Sequence, residues 1–209
     1  QSTVRQKIDS LVDYSESFQR ILSAIFDVTD KPAIGKSPAR FAAKTPLISD
    51  LTRVDDLVLR EIARQQTEEG KGLVMYDKLS SEPALADVPK QELLDSLEIL
   101  GEKNFIKISR VLGAPMSHLV LTDFGFQRFA EAYIPDYQDV VSRIAALLIN
   151  ENICHNVELA SRVGKPLAFV DFVLNLMEAN NYVKVSKCLG GQSQVWEISP
   201  SMRRALQQT

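Results

Sequence analysis

Leu97-Glu-Ile-Leu-Gly-Glu-Lys-Asn-Phe-Ile-Lys-Ile-Ser109 lies on Leu174-Asn-Leu-Met-Glu-Ala-Asn-Asn-Tyr-Val-Lys-Val-Ser186 without a gap, 77 positions apart. Apolar residues meet apolar residues throughout. The same register carries Leu112-Gly113 onto Leu189-Gly190 and Leu119-Val-Leu-Thr122 onto Trp196-Glu-Ile-Ser199. Self-similarity over such a span marks a duplicated structural unit. The chain therefore divides into residues 1–28, residues 29–50, a first repeat over 51–136 and a second over 137–209.

Working outward from the aligned stretch, each repeat reads as the same series of elements. It begins with an amphipathic helix: Val54 to Gln66 in the first copy, with Leu57, Leu59, Ile62 and Ala63 inward, and Tyr137 to Asn150 in the second, with Val140, Val141, Ile144, Ala145 and Leu148 inward. A second helix follows, and a third opens after Pro89 or Pro166, where proline is tolerated because first-turn N–H groups have no helical partner. A short strand comes next, Phe105-Ile-Lys-Ile or Tyr182-Val-Lys-Val, then a glycine-bearing turn and a second strand, His118-Leu-Val-Leu or Gln194-Val-Trp-Glu-Ile. The fold class expected is mainly α, with small β-hairpins.

Three helices and a two-stranded hairpin make the winged-helix plan, and the stretch Glu158-Leu-Ala-Ser-Arg-Val-Gly-Lys-Pro-Leu-Ala-Phe-Val-Asp-Phe-Val-Leu resembles the helix-turn-helix of that superfamily. Ala160 stands where two helices cross closely, Gly164 where the turn needs a left-handed residue, and Val170 and Val173 where the third helix meets the core. The first copy departs from this pattern, because its segment Ser80 to Asp87 is longer and lacks glycine. The resemblance covers residues 53 to 209 and implies two tandem winged-helix domains. Winged-helix proteins most often lay the third helix in the DNA major groove.

Residues 1–28 lie outside the repeat. Val4, Ile8, Leu11, Val12, Phe18, Ile21, Leu22, Ile25 and Phe26 form a stripe at helical spacing, which suits either packing on the chain's own repeats or a dimer interface. From Thr29 to Ser49, Pro32, Gly35, Pro38 and Pro46 interrupt helix, and Lys31, Lys36, Arg40 and Lys44 make this linker basic. The sequence starts at Gln1, so a further domain could precede it.

Composition and motifs exclude several classes of function. With 45% hydrophobic and 24% charged residues the chain suits a packed core and not a disordered one. No apolar run approaches the ~20 residues that cross a bilayer, and the start lacks a secretory pattern, so the reading is cytoplasmic with no membrane partner. Cys154 and Cys188 form no Cys-x-x-Cys pair, and no metal motif surrounds His118 or His155. They read as two partly buried thiols and two ordinary histidines. Asp55 with Asp56 and Glu68 with Glu69 read as solvated surface. With no nucleophile motif or phosphate loop, no catalytic residue, cofactor, metal or small-molecule ligand is expected, and the chain reads as non-enzymatic.

The DNA-binding role that the resemblance implies can be tested residue by residue. In the second copy the outward positions of the third helix are Pro166, Leu167, Ala168, Asp171, Phe172 and Asn175, of which only Asn175 is a natural base reader. In the first they are Lys90, Gln91, Leu94, Asp95 and Glu98, in a helix that also holds Glu92 and Glu102. The net charge is −5 over 51–136 and +1 over each of 137–209 and 1–50, without the basic excess of a DNA-binding domain. Leu167, Phe172 and Leu94, if outward, suit a protein contact; a rotated third helix would instead make Leu167 and Phe172 core. The leading expectation is a regulatory or scaffolding module that binds a protein partner or forms a homodimer. The alternative is a DNA-binding regulator that uses Lys31, Lys36, Arg40 and Lys44, a basic hairpin of Lys184 and Lys187 with Arg203 and Arg204, and Asn175.

Overall fold

Thr52 and Asp55 start the first helix reciprocally: the Thr52 hydroxyl accepts the Asp55 N–H, and the Asp55 carboxylate accepts the Thr52 N–H at 2.9 Å. From this capping box α1 runs Arg53–Thr67 and buries Val58, Leu59, Ile62 and Ala63 completely, with Leu57 packed at the edge of the core. The computed structural model describes residues 48–111, 114–187 and 191–207. The expected helix over 1–28 and the basic residues Lys31, Lys36, Arg40 and Lys44 lie outside them, as does Cys188. Residues 45–209 form one compact unit.

After α1 come a two-residue strand β1 (Val74–Met75), a five-residue helix α2 (Tyr76–Ser80), a 3-10 turn (Pro83–Leu85) and α3 (Lys90–Glu102). The glycine-free segment before Pro89 thus holds one short helical turn followed by a tighter one. Strands β2 (Ile106–Val111) and β3 (Ala114–Leu121) follow, in an antiparallel sheet of order β1-β3-β2. Helix α4 (Asp123–Tyr133) leads to the second repeat: α5 (Tyr137–Asn150), α6 (Asn156–Val163), α7 (Leu167–Ala179), β4 (Val183–Lys187), β5 (Ser193–Ile198) and α8 (Pro200–Gln207). The described chain is mainly helical, with small antiparallel sheets of three and two strands. None of its helices is long and apolar enough to cross a membrane.

The duplication reaches the individual backbone hydrogen bonds. At the end of α3, the N–H groups of Lys103, Asn104 and Phe105 donate to the carbonyls of Ile99, Gly101 and Leu100; at the end of α7, those of Asn180, Asn181 and Tyr182 donate to Leu176, Glu178 and Met177. Asn104 (φ 61°) and Asn181 (φ 59°) both take the left-handed conformation that asparagine tolerates better than most residues. Thr122 N–H closes on Phe105 and Ser199 N–H on Tyr182. Met75 pairs with His118 in the first sheet, and an isolated bridge joins His155 to Gln194 in the second. Gly164, at φ 69°, ends α6 in the left-handed region, as expected of the turn after that helix.

Helix α4 decides how the repeats meet. Thr122 caps it by accepting the Gly125 N–H at 2.9 Å. A Cβ on Gly125 would stand 2.0 Å from the Phe105 carbonyl oxygen, so only glycine lets α4 cross so close to the base of the hairpin. That crossing points Phe126 between the repeats, where it is fully buried. Its ring stacks on Phe172 with centroids 4.7 Å apart and meets Phe169 edge-on at 5.2 Å and Tyr137 edge-on at 6.1 Å. One hydrophobic core therefore runs through both repeats.

Candidate interaction surfaces

Of the two alternatives left open for α7, an outward or a core-facing Phe172, the structure takes neither fully. The Phe172 ring is half-buried on Phe126, because α4 places that ring against it. Asp171, on the same face, is held by Asn156 Nδ2 at 2.8 Å and by the Ser193 hydroxyl at 2.8 Å. Asn156 is fully buried; its amide also donates to the Gly191 carbonyl, and its carbonyl oxygen accepts the Ser193 N–H at 3.0 Å. This network ties the start of α6, the middle of α7 and the start of β5 together. Leu167 stays 37% exposed, and Asn175 is half-buried. Both border a cleft of about 750 Å³ between α7, the Gly70–Gly72 turn and the first residues of α4, which Lys71 and Lys107 also line.

Helix α3 presents a different face. Lys90, Gln91, Glu92, Asp95, Glu98 and Glu102 are exposed, and Gln91 spends its amide on Asp95 at 2.8 Å. Leu94, expected outward, is half-buried and packs on the core. The free surface of α3 is therefore polar and predominantly acidic.

Two carboxylates read as solvated surface prove to be buried. Asp55 is 1% exposed because it caps α1, and Asp56 is 6% exposed because it accepts the Tyr133 hydroxyl of α4. Glu68 and Glu69 are exposed as expected, though Glu69 pairs with Arg64 and with Lys71. Glu61, on α1, is buried. Burial pushes its carboxyl up, but hydrogen bonds from Arg64 at 2.7 Å and Gln65 at 2.9 Å outweigh that and hold it below the usual carboxylate range. Asp55, Asp56 and Glu61 thus each hold α1 to its cap, its neighbours or α4.

The second hairpin holds the feature that the sequence reading missed. Lys184 pairs with Glu197 as Lys107 pairs with Val120, but Val185 then pairs with Val195, whereas Ile108 pairs with Leu119. Trp196 is thus an extra, bulged residue, and the gap-free alignment of Leu119 on Trp196 fails here. Leu119 is fully buried and Trp196 is 62% exposed. The signal was present in the apolar spacing: Val195 and Ile198 both face inward three positions apart, which a regular strand of period two forbids. The Lys184 ammonium lies 5.0 Å from the Trp196 ring centroid and 2.6 Å from Glu197. Lys187, Arg203 and Arg204 are exposed nearby in the sequence.

A smaller groove of about 300 Å³ runs between α5, α7 and α8. Val141 and Ala145, expected inward, stand half-buried along it, beside Val173, Leu176 and Met202. Burial, with the Glu131 carboxylate as a lesser cause, pushes the Tyr137 phenol at its end up to about 12. Cys154 is half-buried, His118 shares a hydrogen bond with Ser117, and His155 is exposed. Among the described residues, no group of three or more His, Cys, Asp or Glu is placed to hold a metal ion. No protein-family model matches the chain, and no curated protein matches it.

Proposed function

We propose that the chain is a non-enzymatic, cytoplasmic regulatory or scaffolding module in which two winged-helix repeats bind a protein partner or a second copy of the chain. The observation that carries this reading is the stack of Phe172 on Phe126. It uses the face of α7 that a DNA reader keeps free for base edges, and α3, its equivalent in the first repeat, turns carboxylates outward. A helix bearing Glu92, Asp95, Glu98 and Glu102 repels a phosphate backbone. What remains available is a set of exposed apolar side chains, Leu167 and Trp196 among them, of the kind that anchors protein interfaces.

A second reading, DNA binding through basic arms, is favoured by the exposure of Lys187, Arg203 and Arg204 and by Lys31, Lys36, Arg40 and Lys44 in the linker. Titrating the purified chain onto labelled random duplex DNA at low and moderate salt, with its mass followed by light scattering, separates the two. The protein-binding reading predicts no saturable DNA binding at moderate salt. Micromolar affinity that falls steeply with salt, and that drops when Lys36, Arg40 and Lys44 are changed to Glu, overturns it in favour of the DNA regulator.

A further inference from the structure

A buried tyrosine hydroxyl ordinarily has a hydrogen-bond partner. Tyr133 follows the rule and donates to Asp56. Tyr137, at the start of α5, does not: the residue is 6% exposed, yet no described residue hydrogen-bonds its hydroxyl. Its ring is fixed edge-on to Phe126 and Phe169 in the core that joins the repeats. Burial first, and the Glu131 carboxylate second, push the phenol up to about 12. The hydroxyl therefore keeps its proton at neutral pH, and it lies on the Glu131 side of the groove that both residues line.

That groove, between α5, α7 and α8, is floored by Val141, Ala145, Val173, Leu176, Met177 and Met202. An apolar floor with one placed polar group is the usual chemistry of a small-molecule site, and about 300 Å³ is the small end of that class. An apolar cavity of roughly 150 Å³ holds benzene, so the space suits one ring with a short substituent. A molecule that enters displaces water from the Tyr137 hydroxyl, and unless it brings an acceptor the O–H is left without a partner. The charge is set as well. Glu131, the only charged residue that lines the groove, is already engaged by the Gln127 amide at 2.8 Å and by Arg128 at 3.9 Å, so it does not call for a cation, and it disfavours an anion. We propose that the groove binds a small, uncharged, mainly apolar molecule with one hydrogen-bond acceptor, such as a ketone, to which Tyr137 Oη donates. The site goes beyond the proposed function and does not rest on it, and no motif in the sequence announces it.

Methyl NMR spectra of the full chain, titrated to millimolar probe, test this. The probes are acetophenone, its isostere α-methylstyrene, in which a methylene replaces the carbonyl oxygen, and the benzoate anion. Acetophenone is expected to shift the methyl signals of Val141, Ala145, Leu176 and Met202 saturably, and to bind about fivefold more tightly than α-methylstyrene, the worth of one hydrogen bond. Benzoate is expected to leave those signals in place. Tyr137→Phe keeps the ring and removes only the hydroxyl, so it is expected to weaken acetophenone about fivefold and α-methylstyrene by less than about twofold. The second probe thus shows that the variant is folded with its groove intact. Ala145→Phe, which fills the groove, is expected to abolish binding of both. No saturable shift at these methyls with either neutral probe overturns the site. Binding of acetophenone that Tyr137→Phe leaves unchanged overturns the role of the hydroxyl and with it the ligand class, and binding that survives Ala145→Phe places the probe elsewhere and overturns the groove. None of these results bears on partner binding, which the DNA titration and light scattering read separately.

Discussion

The hairpin of the first repeat and that of the second start from the same left-handed asparagine and the same three helix-ending hydrogen bonds, and then diverge at the third residue of the strand. In the first, Gly101 faces Ile108, whose Cδ1 would be 2.9 Å from any Cβ placed there, so the strand lies directly on α3. At the corresponding place in the second, Glu178 reaches across and accepts the Val185 N–H at 2.8 Å. A carboxylate that engages an edge N–H in this way hinders the strand from pairing with another chain. The first hairpin gains a third strand in β1; the second has only the His155 bridge and relies on the buried Asn156 network to hold β5. Backbone plan and surface chemistry are thus separable: the hydrogen bonds that define the repeat are kept, while one inserted residue and one glycine-to-glutamate exchange give the two copies different outer faces.

Four substitutions sharpen or break that comparison. Phe126→Ala removes the ring that both repeats share and is expected to cost about 3–5 kcal/mol, as for other buried aromatics, measured by urea denaturation. A loss below about 1 kcal/mol would mean that the repeats hold together without it. Leu119→Ala comes next, at about 2–4 kcal/mol, because Leu119 is fully buried. Glu61→Gln tests the ion-paired face of the first repeat. The depressed carboxyl adds stability that is present above its unfolded value and is lost as pH falls through its lower folded value. The substitution should therefore destabilise at pH 7, and the gap from wild type should shrink as pH falls below about 4; a gap independent of pH would assign its effect to packing. The smallest effect is expected at Trp196→Ala, within about 0.5 kcal/mol of wild type. If it matched the loss at Leu119, Trp196 would be part of the core and the bulge would not separate the hairpins.

The elements carried by periodicity were legible in the sequence. Helix α5 spans Tyr137–Asn150, as the spacing of Val140, Ile144 and Leu148 predicts, and α3 and α7 start just after Pro89 and Pro166. Gly164 was readable because few other residues suit its backbone angle. What could not be read lies where no period operates. Strand β1 is two residues long and exists only because β3 offers it a partner. Helix α4 has apolar residues at helical spacing, but its consequence, a ring set against Phe172, depends on the close crossing at Gly125, which is a property of tertiary packing. That crossing is also why Phe172, for which the helical wheel left solvent and core both open, is partly buried. Asp55 and Asp56 escaped for a related reason: adjacent carboxylates on one helix were turned to a cap and to a distant tyrosine, neither visible from local pattern.

The shared ring has a consequence in time as well as in space. During synthesis Phe126 is made 46 residues ahead of Phe172, its stacking partner. At the usual elongation speed of roughly 5–20 residues per second, that is an interval of about 2–9 seconds. Through that interval the nascent first repeat carries an aromatic ring without its stacking partner, and its completion waits on the translation of the second.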